Sequence, residues 1–354
     1  MNKVGIVTRN LSQAHGVRGV GFYTRNLVAA LTRAALQSDF QILEVGPGNF
    51  SGLDLVHYPY FDLFKPGLPF FKSLPAVVTV HDVIPLEFPD IYRPGLRGSL
   101  NFLWQKIALR SASVVVTDSY ASVKGIKRYL QIPDAKIKLV YLAADPVYTR
   151  KKNPAELKIV RSKYHLPPEF VLYVGDINWN KNLPGLFRAC QELKIPLVLA
   201  GKSALEIETL DSRHPELRHL ENLKSYIVNQ KSQFIRLGFV PDAELVSVYQ
   251  LATVYCQPSF REGFGFPVLE ALSCGTPVIC SRASSLPEIA GLSAVYFDPY
   301  NQMDFTAKLK SVFFDKTLRS GMSAAGPAQA LLFSWDRVAG EMLSVYRSVL
   351  NKSI

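Results

Sequence analysis

The sequence is short of cysteine, of acidic residues and of long apolar runs, and each shortage excludes something. Only four cysteines, Cys190, Cys256, Cys274 and Cys280, occur among 354 residues. None belongs to a C-x-x-C pair, so neither a disulfide framework nor a paired-thiolate zinc site is expected. All four lie in or beside apolar runs, which predicts buried free thiols in a reducing compartment. No window approaches the roughly 18 consecutive apolar residues of a membrane span. The N-terminal apolar stretch Val4–Thr8 is too short for a signal peptide, so it reads as a strand and the expected location is cytoplasmic. No D-x-D follows a strand and the histidines do not cluster, so no metal site is expected. Helix-turn-helix, zinc-finger and RNA-binding aromatic signatures are absent, which argues against nucleic acid.

The acidic shortage leaves 40 Lys and Arg against 29 Asp and Glu, a net charge of +11. It is concentrated in residues 1–150, where 17 basic residues face 10 acidic ones. Such a surface suits an anionic membrane or a phosphorylated substrate.

Short β-branched runs alternate with helical stretches, the pattern of parallel α/β sheets. In the first half the expected strands are Val4–Thr8, Phe40–Val45, Leu55–Tyr58, Ala76–Val80, Val114–Thr117 and Ile137–Val140. Helices are expected at Val20–Ala35, Leu100–Arg110 and Ser119–Leu130. The pattern breaks at the proline-bearing stretch Ala143–Pro168, which reads as a linker with one short helix. It restarts with strands at Phe170–Val174, Leu197–Ala200, Phe234–Leu237, Thr253–Gln257, Pro277–Cys280 and Ala294–Phe297. Two runs of βα units predict two Rossmann-like domains, residues 1–165 and 166–334, facing each other across a cleft. An amphipathic helix, Trp335–Leu350, follows, and its apolar face needs a partner. Residues 335–354 are therefore assigned to the first domain.

The chemistry concentrates after Thr253–Gln257. A loop carrying Glu262, Gly263, Phe264 and Gly265 runs into Phe266 and Pro267, where proline suits a helix start. Gly275 closes that helix. A helix start at the carboxyl edge of a strand suits a phosphate, with donors expected from the N–H groups of Phe266, Val268 and Leu269. Glu270 lies one turn into the helix, where a carboxylate can accept two hydrogen bonds from a ribose diol. Glu262 sits at the loop tip and must serve another part of the ligand. A donor resting its diphosphate on the helix start would send its nucleoside toward Glu270 and its hexose toward Glu262.

The spacing Glu262-x7-Glu270, with Ser284-Ser285-Leu286-Pro287-Glu288 and Asp298-Pro299 downstream, resembles the retaining glycosyltransferases of family 4, particularly mannosyl- and rhamnosyltransferase-like members. The resemblance spans nearly the whole chain. It implies the GT-B architecture, with the donor on the C-terminal domain, the acceptor on the N-terminal one, and the C-terminal helix returning to the first domain. It implies that Glu270 holds the ribose, Glu262 the transferred sugar, and the Phe264–Leu269 backbone the sugar and diphosphate. Gly19 and Gly21, in Gly16-Val-Arg-Gly-Val-Gly, resemble the family's first glycine loop. A nicotinamide fingerprint fits poorly there, because Thr24 stands where its third glycine belongs. His81 resembles the histidine that contacts the transferred sugar, with Asp82 beside it as a cap.

Lys181, in Gly175-Asp176-Ile177-Asn178-Trp179-Asn180-Lys181, is placed to reach the diphosphate as a point charge. Asp176 departs from the arginine common in the family. It should orient Lys181 or accept from sugar hydroxyls, while Asn178 and Asn180 can donate to phosphate. Val240, in Gly238-Phe-Val-Pro241, matches the loop facing the base. Tyr60–Leu74 carries Phe61, Phe64, Phe70 and Phe71 with Lys65 and Lys72, and reads either as packing or as a face for a membrane or acceptor.

The expectation is a metal-independent hexosyltransferase of retaining stereochemistry. It needs no cofactor beyond the nucleotide sugar as co-substrate, with GDP-mannose favoured. Its acceptor would be a glycan or a lipid-linked glycan, with peripheral contact at the inner membrane face. The alternatives are a sugar-nucleotide epimerase of similar architecture and a non-catalytic nucleotide-sugar-binding paralogue.

Overall fold

A computed structural model describes residues 1–8, 19–207, 209, 211, 213–221, 223–224 and 233–351. They form two compact units. The first contains residues 1–89, 93–143 and 333–354, and the second contains 90–92 and 144–332.

The first unit holds a six-stranded parallel sheet of β1 (Asn2–Val7), β2 (Phe40–Val45), β3 (Leu55–Tyr58), β4 (Ala76–Thr79), β5 (Val114–Thr117) and β6 (Ile137–Leu139), in the order β2-β1-β3-β4-β5-β6. The second holds β7 (Val171–Val174), β8 (Leu197–Ala200), β9 (Phe234–Gly238), β10 (Val254–Gln257), β11 (Val278–Ser281) and β12 (Ala294–Phe297), in the order β9-β8-β7-β10-β11-β12. The central strands are wholly buried, as in Ala76–Thr79, Val114–Thr117 and Leu197–Ala200. Parallel strands covered by helices on both faces cannot alternate polar with apolar, and so they read as continuous β-branched runs. The second order is that of a Rossmann sheet. It reverses between β7 and β10, where loops diverge and ligands of open α/β sheets bind.

The boundary at residue 165 needs correction. Residues 144–165 belong to the second unit. The helix Pro154–Lys163 starts with a capping box, in which Asn153 Oδ1 accepts from Glu156 N at 2.9 Å and Glu156 Oε2 accepts from Asn153 N at 3.0 Å. It packs on the helix Asp242–Leu251, where Lys163 Nζ (2.7 Å) and the Tyr164 hydroxyl (2.5 Å) both donate to Glu244. The stretch that looks like a linker is an integral layer of the second unit.

The helix Trp335–Leu350 returns to the first unit and packs against the helix Gly19–Ala35. Ser334 caps it by accepting from Arg337 N, and Val338, Met342, Val345, Tyr346 and Val349 face inward. Its polar key is Tyr346, whose hydroxyl meets His57 Nδ1 at 2.7 Å, while His57 Nε2 meets Thr79 Oγ1 at 2.8 Å. Burial drives the His57 pKa down to about 3, so the ring is neutral and donates through one nitrogen while accepting through the other. Tyr346→Phe strands a buried ring nitrogen, and a loss of about 1–3 kcal/mol of stability is expected. Urea unfolding of the full chain measures it, and a loss indistinguishable from zero would show that the helix does not depend on this bond.

Candidate active site

In the second unit the loops after β7 and β10 meet at the switch point. Gly175 follows β7 with φ +147°, and Gly201, following β8, comes so close that a Cβ there would lie 2.2 Å from the Gly175 carbonyl. Beyond Gly175 a short 3-10 turn, Trp179–Lys181, ends on Asn182 in the left-handed region (φ 51°). The turn is tied to the loop after β10: Asn180 Nδ2 donates to Arg261 O at 2.9 Å, and Phe260 N donates to Asn180 O at 2.7 Å. Tyr92 donates to Asn180 Oδ1 at 2.9 Å. The amide expected to serve a phosphate is thus engaged in joining the two loops.

This joining brings Lys181 to Glu262. The ammonium donates to both carboxylate oxygens at 2.8 Å, and the two side chains are only 20% and 10% exposed. Glu262 also accepts from Gln257 Nε2 at 2.8 Å and from Ser259 Oγ at 2.6 Å. It is therefore a pinned, buried group and not an exposed loop tip. Its own carbonyl accepts from Ser284 Oγ and Ser285 Oγ at 2.6 and 3.1 Å, and Ser285 also holds Phe264 O at 2.8 Å. The expected orientation of Lys181 by Asp176 is corrected here: among the described residues Lys181 pairs with Glu262. Asp176 and Asn178 are half-buried in the same loop. There the Asp176 carbonyl accepts from the Tyr173 hydroxyl at 2.5 Å.

The helix Phe266–Ser273 starts as expected, with Gly265 in the left-handed region (φ 108°) and Pro267 in its first turn. A Cβ at Gly265 would also lie 2.9 Å from Leu286 Cδ2, so both backbone and space require glycine. One expectation is revised: the N–H groups of Val268 and Leu269 donate to Gly265 O at 3.0 and 3.3 Å. Gly263 and Phe264 are buried behind this turn. Glu270 is buried one turn on, accepts from the Tyr249 hydroxyl at 2.8 Å, and is pushed up to about 7, mostly by burial. Val240 is buried after β9, beside Gly238 in the left-handed region (φ 70°).

In the first unit, His81 follows β4. Its Nδ1 meets Asp118 Oδ2 at 2.8 Å, Ser122 Oγ donates to its carbonyl at 2.6 Å, and the Tyr23 ring meets its ring edge-on with centroids 4.7 Å apart. Burial pushes the Asp118 carboxyl up while the hydrogen bond from His81 pulls it down. Asp118 fixes the imidazole and leaves Nε2 without a hydrogen-bond partner among the described residues. Asp82, expected as a cap, lies one residue before the N-cap Val83 of the following short helix and accepts from Ile84 N at 3.0 Å. Gly19 and Gly21 open the helix Gly19–Ala35, while residues 9–18, with Gly16, lie outside the described residues. No group of three or more potential ligands that could hold a metal occurs among the described residues.

Residues 157–329 match the family model described as Glycosyl transferases group 1. The O-antigen chain mannosyltransferase B of Escherichia coli is 32% identical over 282 residues, covering 77% of this chain and 70% of that protein. The chain belongs to the group 1 glycosyl transferases. The serotype-specific mannosyltransferase WbdA of Escherichia coli is similar as well, 29% identical over 288 residues, but the match spans only 34% of its length. Sucrose-phosphate synthase from Thermosynechococcus elongatus has the same fold, with a TM-score of 0.76 at 17% identity over 99% of this chain and all of that one.

Sequence reading of this glycosyltransferase missed the residues that hold the named ones: Gln257 and Ser259 on Glu262, Tyr249 on Glu270, and Asp118 on His81. For Gln257, Ser259 and Asp118 a position at or just after a strand end was the available signal, whereas Tyr249 lies inside the helix Asp242–Leu251, and every one of these pairings is tertiary. Because the Glu270 pKa is raised, the ligand-free fold is favoured by protonation of Glu270 and loses that stabilisation as pH climbs through about 7. A nucleotide whose ribose donates to Glu270 favours the ionised form, so binding expels a proton and affinity rises with pH up to that point. Calorimetry of GDP binding at pH 6 in buffers of different ionisation enthalpy should show proton release, and Glu270→Gln should abolish it. Buffer-independent heats would detach Glu270 from the nucleoside.

Proposed function

We propose that the chain transfers a hexose, with mannose favoured, from GDP-mannose to a hydroxyl of a glycan or lipid-linked acceptor, with retention at the anomeric carbon and without a metal ion. The observation that carries this reading is the Lys181–Glu262 pair at the sheet's switch point, one loop before the glycine-proline helix start that leads to buried Glu270. The likeness to mannosyltransferases supports the choice of sugar.

In this reading the diphosphate lies at the start of the helix Phe266–Ser273, with Gly263–Leu269 around it. Glu270 takes the ribose and Val240 lies toward the base. Glu262 takes hydroxyls of the transferred sugar, and Asp176 and Asn178 supply further polar contacts. Lys181 offsets charge as the diphosphate leaves, the electrostatic stabilisation that a preorganised cation gives. Gly19, Gly21 and His81 keep the phosphate- and sugar-contacting roles that the resemblance implies. The leaving phosphate takes the acceptor proton. The enzyme works at the cytoplasmic side of the membrane that carries its acceptor.

Glu262→Gln keeps the shape of the side chain and removes its charge. It should lower turnover by about 100-fold or more while changing donor affinity little. Lys181→Ala should lower turnover by a similar factor, while Glu262 keeps Gln257 and Ser259 as partners. Near-normal turnover in either variant would sink the assignment. The anomeric configuration of the first product, read by proton NMR, should match that of the donor, and an inverted signal would contradict a retaining mechanism. Activity should survive EDTA, and a loss restored by magnesium or manganese would contradict metal independence.

A further inference from the structure

The helix Gly95–Arg110 carries apolar residues on both its inner and its outer face. Its inner face is Gly98, Gln105, Ala108 and Leu109. The polar residues on that side are spent on the loop beneath it: Asn101 Nδ2 donates to Phe64 O at 3.0 Å, Gln105 Nε2 donates to Lys65 O at 2.9 Å, and Gln105 Oε1 accepts from Leu68 N at 3.3 Å. Its outer face carries Leu96, Leu100, Leu103, Trp104 and Ile107, from 41% to 89% exposed. That spacing of four, three, one and three residues is a continuous helical stripe. Phe71, 85% exposed, extends it, because Phe70 bridges Phe71 and Trp104 with ring centroids 5.0 Å from each. A soluble surface seldom leaves so many large apolar side chains together without a use.

The charged residues of this helix, and of residues 63–80, which include the loop beneath it, are all basic. Arg97 and Arg110 are exposed on the same helix, Lys65 is exposed on the loop beside it, and Lys106 lies over the Phe102 ring. No acidic residue occurs between Asp90 and Asp118, or between Asp62 and Asp82. Lys72 stitches the loop to the helix end by donating to Ala108 O (2.5 Å) and Ser111 Oγ (2.7 Å), so the two segments form one platform. No helix among the described residues is long and apolar enough to cross a membrane.

The geometry points to this platform as a docking surface for an anionic lipid bilayer, with Leu96, Leu100, Leu103, Trp104, Ile107 and Phe71 entering the headgroup boundary and the cations meeting lipid phosphates. An interfacial helix needs an apolar face with basic flanks, and both are present, while the nearby Asp62 carboxylate is taken up by the backbone N–H groups of Phe64 and Lys65. The inference deepens the reading of a membrane-borne acceptor, and its test reads binding separately from transfer.

Purified full chain is sedimented with vesicles of phosphatidylglycerol and phosphatidylethanolamine, and with vesicles of phosphatidylcholine alone. Binding should be at least about tenfold stronger to the anionic vesicles and should weaken with salt. The double variant Leu100→Glu/Leu103→Glu should lose at least about tenfold in binding, and Arg97→Glu/Arg110→Glu a comparable factor, with unchanged melting temperatures. Transfer from GDP-mannose to a soluble mannose oligosaccharide should be unchanged in both. Equal binding by the variants, or no anionic preference in the parent, would overturn the surface. So would a parent dimer that the leucine variants dissociate without any effect of vesicles, which would assign the face to a second copy of the chain. Vesicle binding with no transfer by the parent would count against the proposed reaction and leave the surface standing.

Discussion

A carboxylate with a tenth of its side chain left to water and an ammonium with a fifth must satisfy each other, because each would otherwise lose its hydration without return. The Lys181–Glu262 contact meets that requirement, and much of the second unit's active edge is arranged to keep it. Asn180 locks the loop of the lysine to the loop of the glutamate. Gln257 and Ser259 both donate to Oε1, one of the two carboxylate oxygens that the lysine also contacts. Three serines at and just after the end of β11 hold the loop from the other side: Ser281 through Ser259 O, Ser284 through Glu262 O, and Ser285 through Glu262 O and Phe264 O. A group so held reorganises little when charge appears beside it, and preorganisation of this kind is what transition-state stabilisation requires.

The glycine and proline before Glu270 serve the same end by geometry. Gly265 turns the chain through a conformation that side chains disfavour, and Pro267 fixes the first helical turn. Together they set the spacing between the two buried carboxylates, Glu262 and Glu270. Glu270 differs from Glu262 in its surroundings: a phenol and not a cation donates to it, and burial raises its pKa. Two glutamates eight residues apart thus sit in different settings, Glu262 beside the Lys181 ammonium and Glu270 buried against the Tyr249 hydroxyl.

All twelve strands were legible because fully covered parallel strands leave β-branched runs bounded by turn residues, as at Val114–Thr117 and Leu197–Ala200. The last helix was legible in extent from its apolar face, and in destination because the domain it follows already has its own sheet and the family resemblance returns it to the first. The domain boundary was not. Asn153-Pro154 looks like a linker locally, and only the distant Glu244 shows that the following helix is bound. The glutamate pair was legible because one loop and one helix carry both residues. The Lys181 contact was not, since it joins positions 81 residues apart across two loops. The helix Gly95–Arg110 shows the limit most plainly. Apolar residues lie all round it, and periodicity does not say that Ala108 and Leu109 face inward while Leu100, Leu103 and Trp104 stay exposed.

The first unit is a discontinuous body. Its sheet is complete by residue 139, yet one face of the helix Gly19–Ala35 waits for a helix that begins at Trp335, and the His57–Tyr346 bond spans 289 positions. At the pace of synthesis, the whole second unit is made before that face can be covered. The first unit therefore stays open, with apolar surface showing, while its neighbour has all the residues it needs to close. The order of completion is inverted relative to the order of translation. Any break in the chain after the second unit would leave the earlier-made half unfinished.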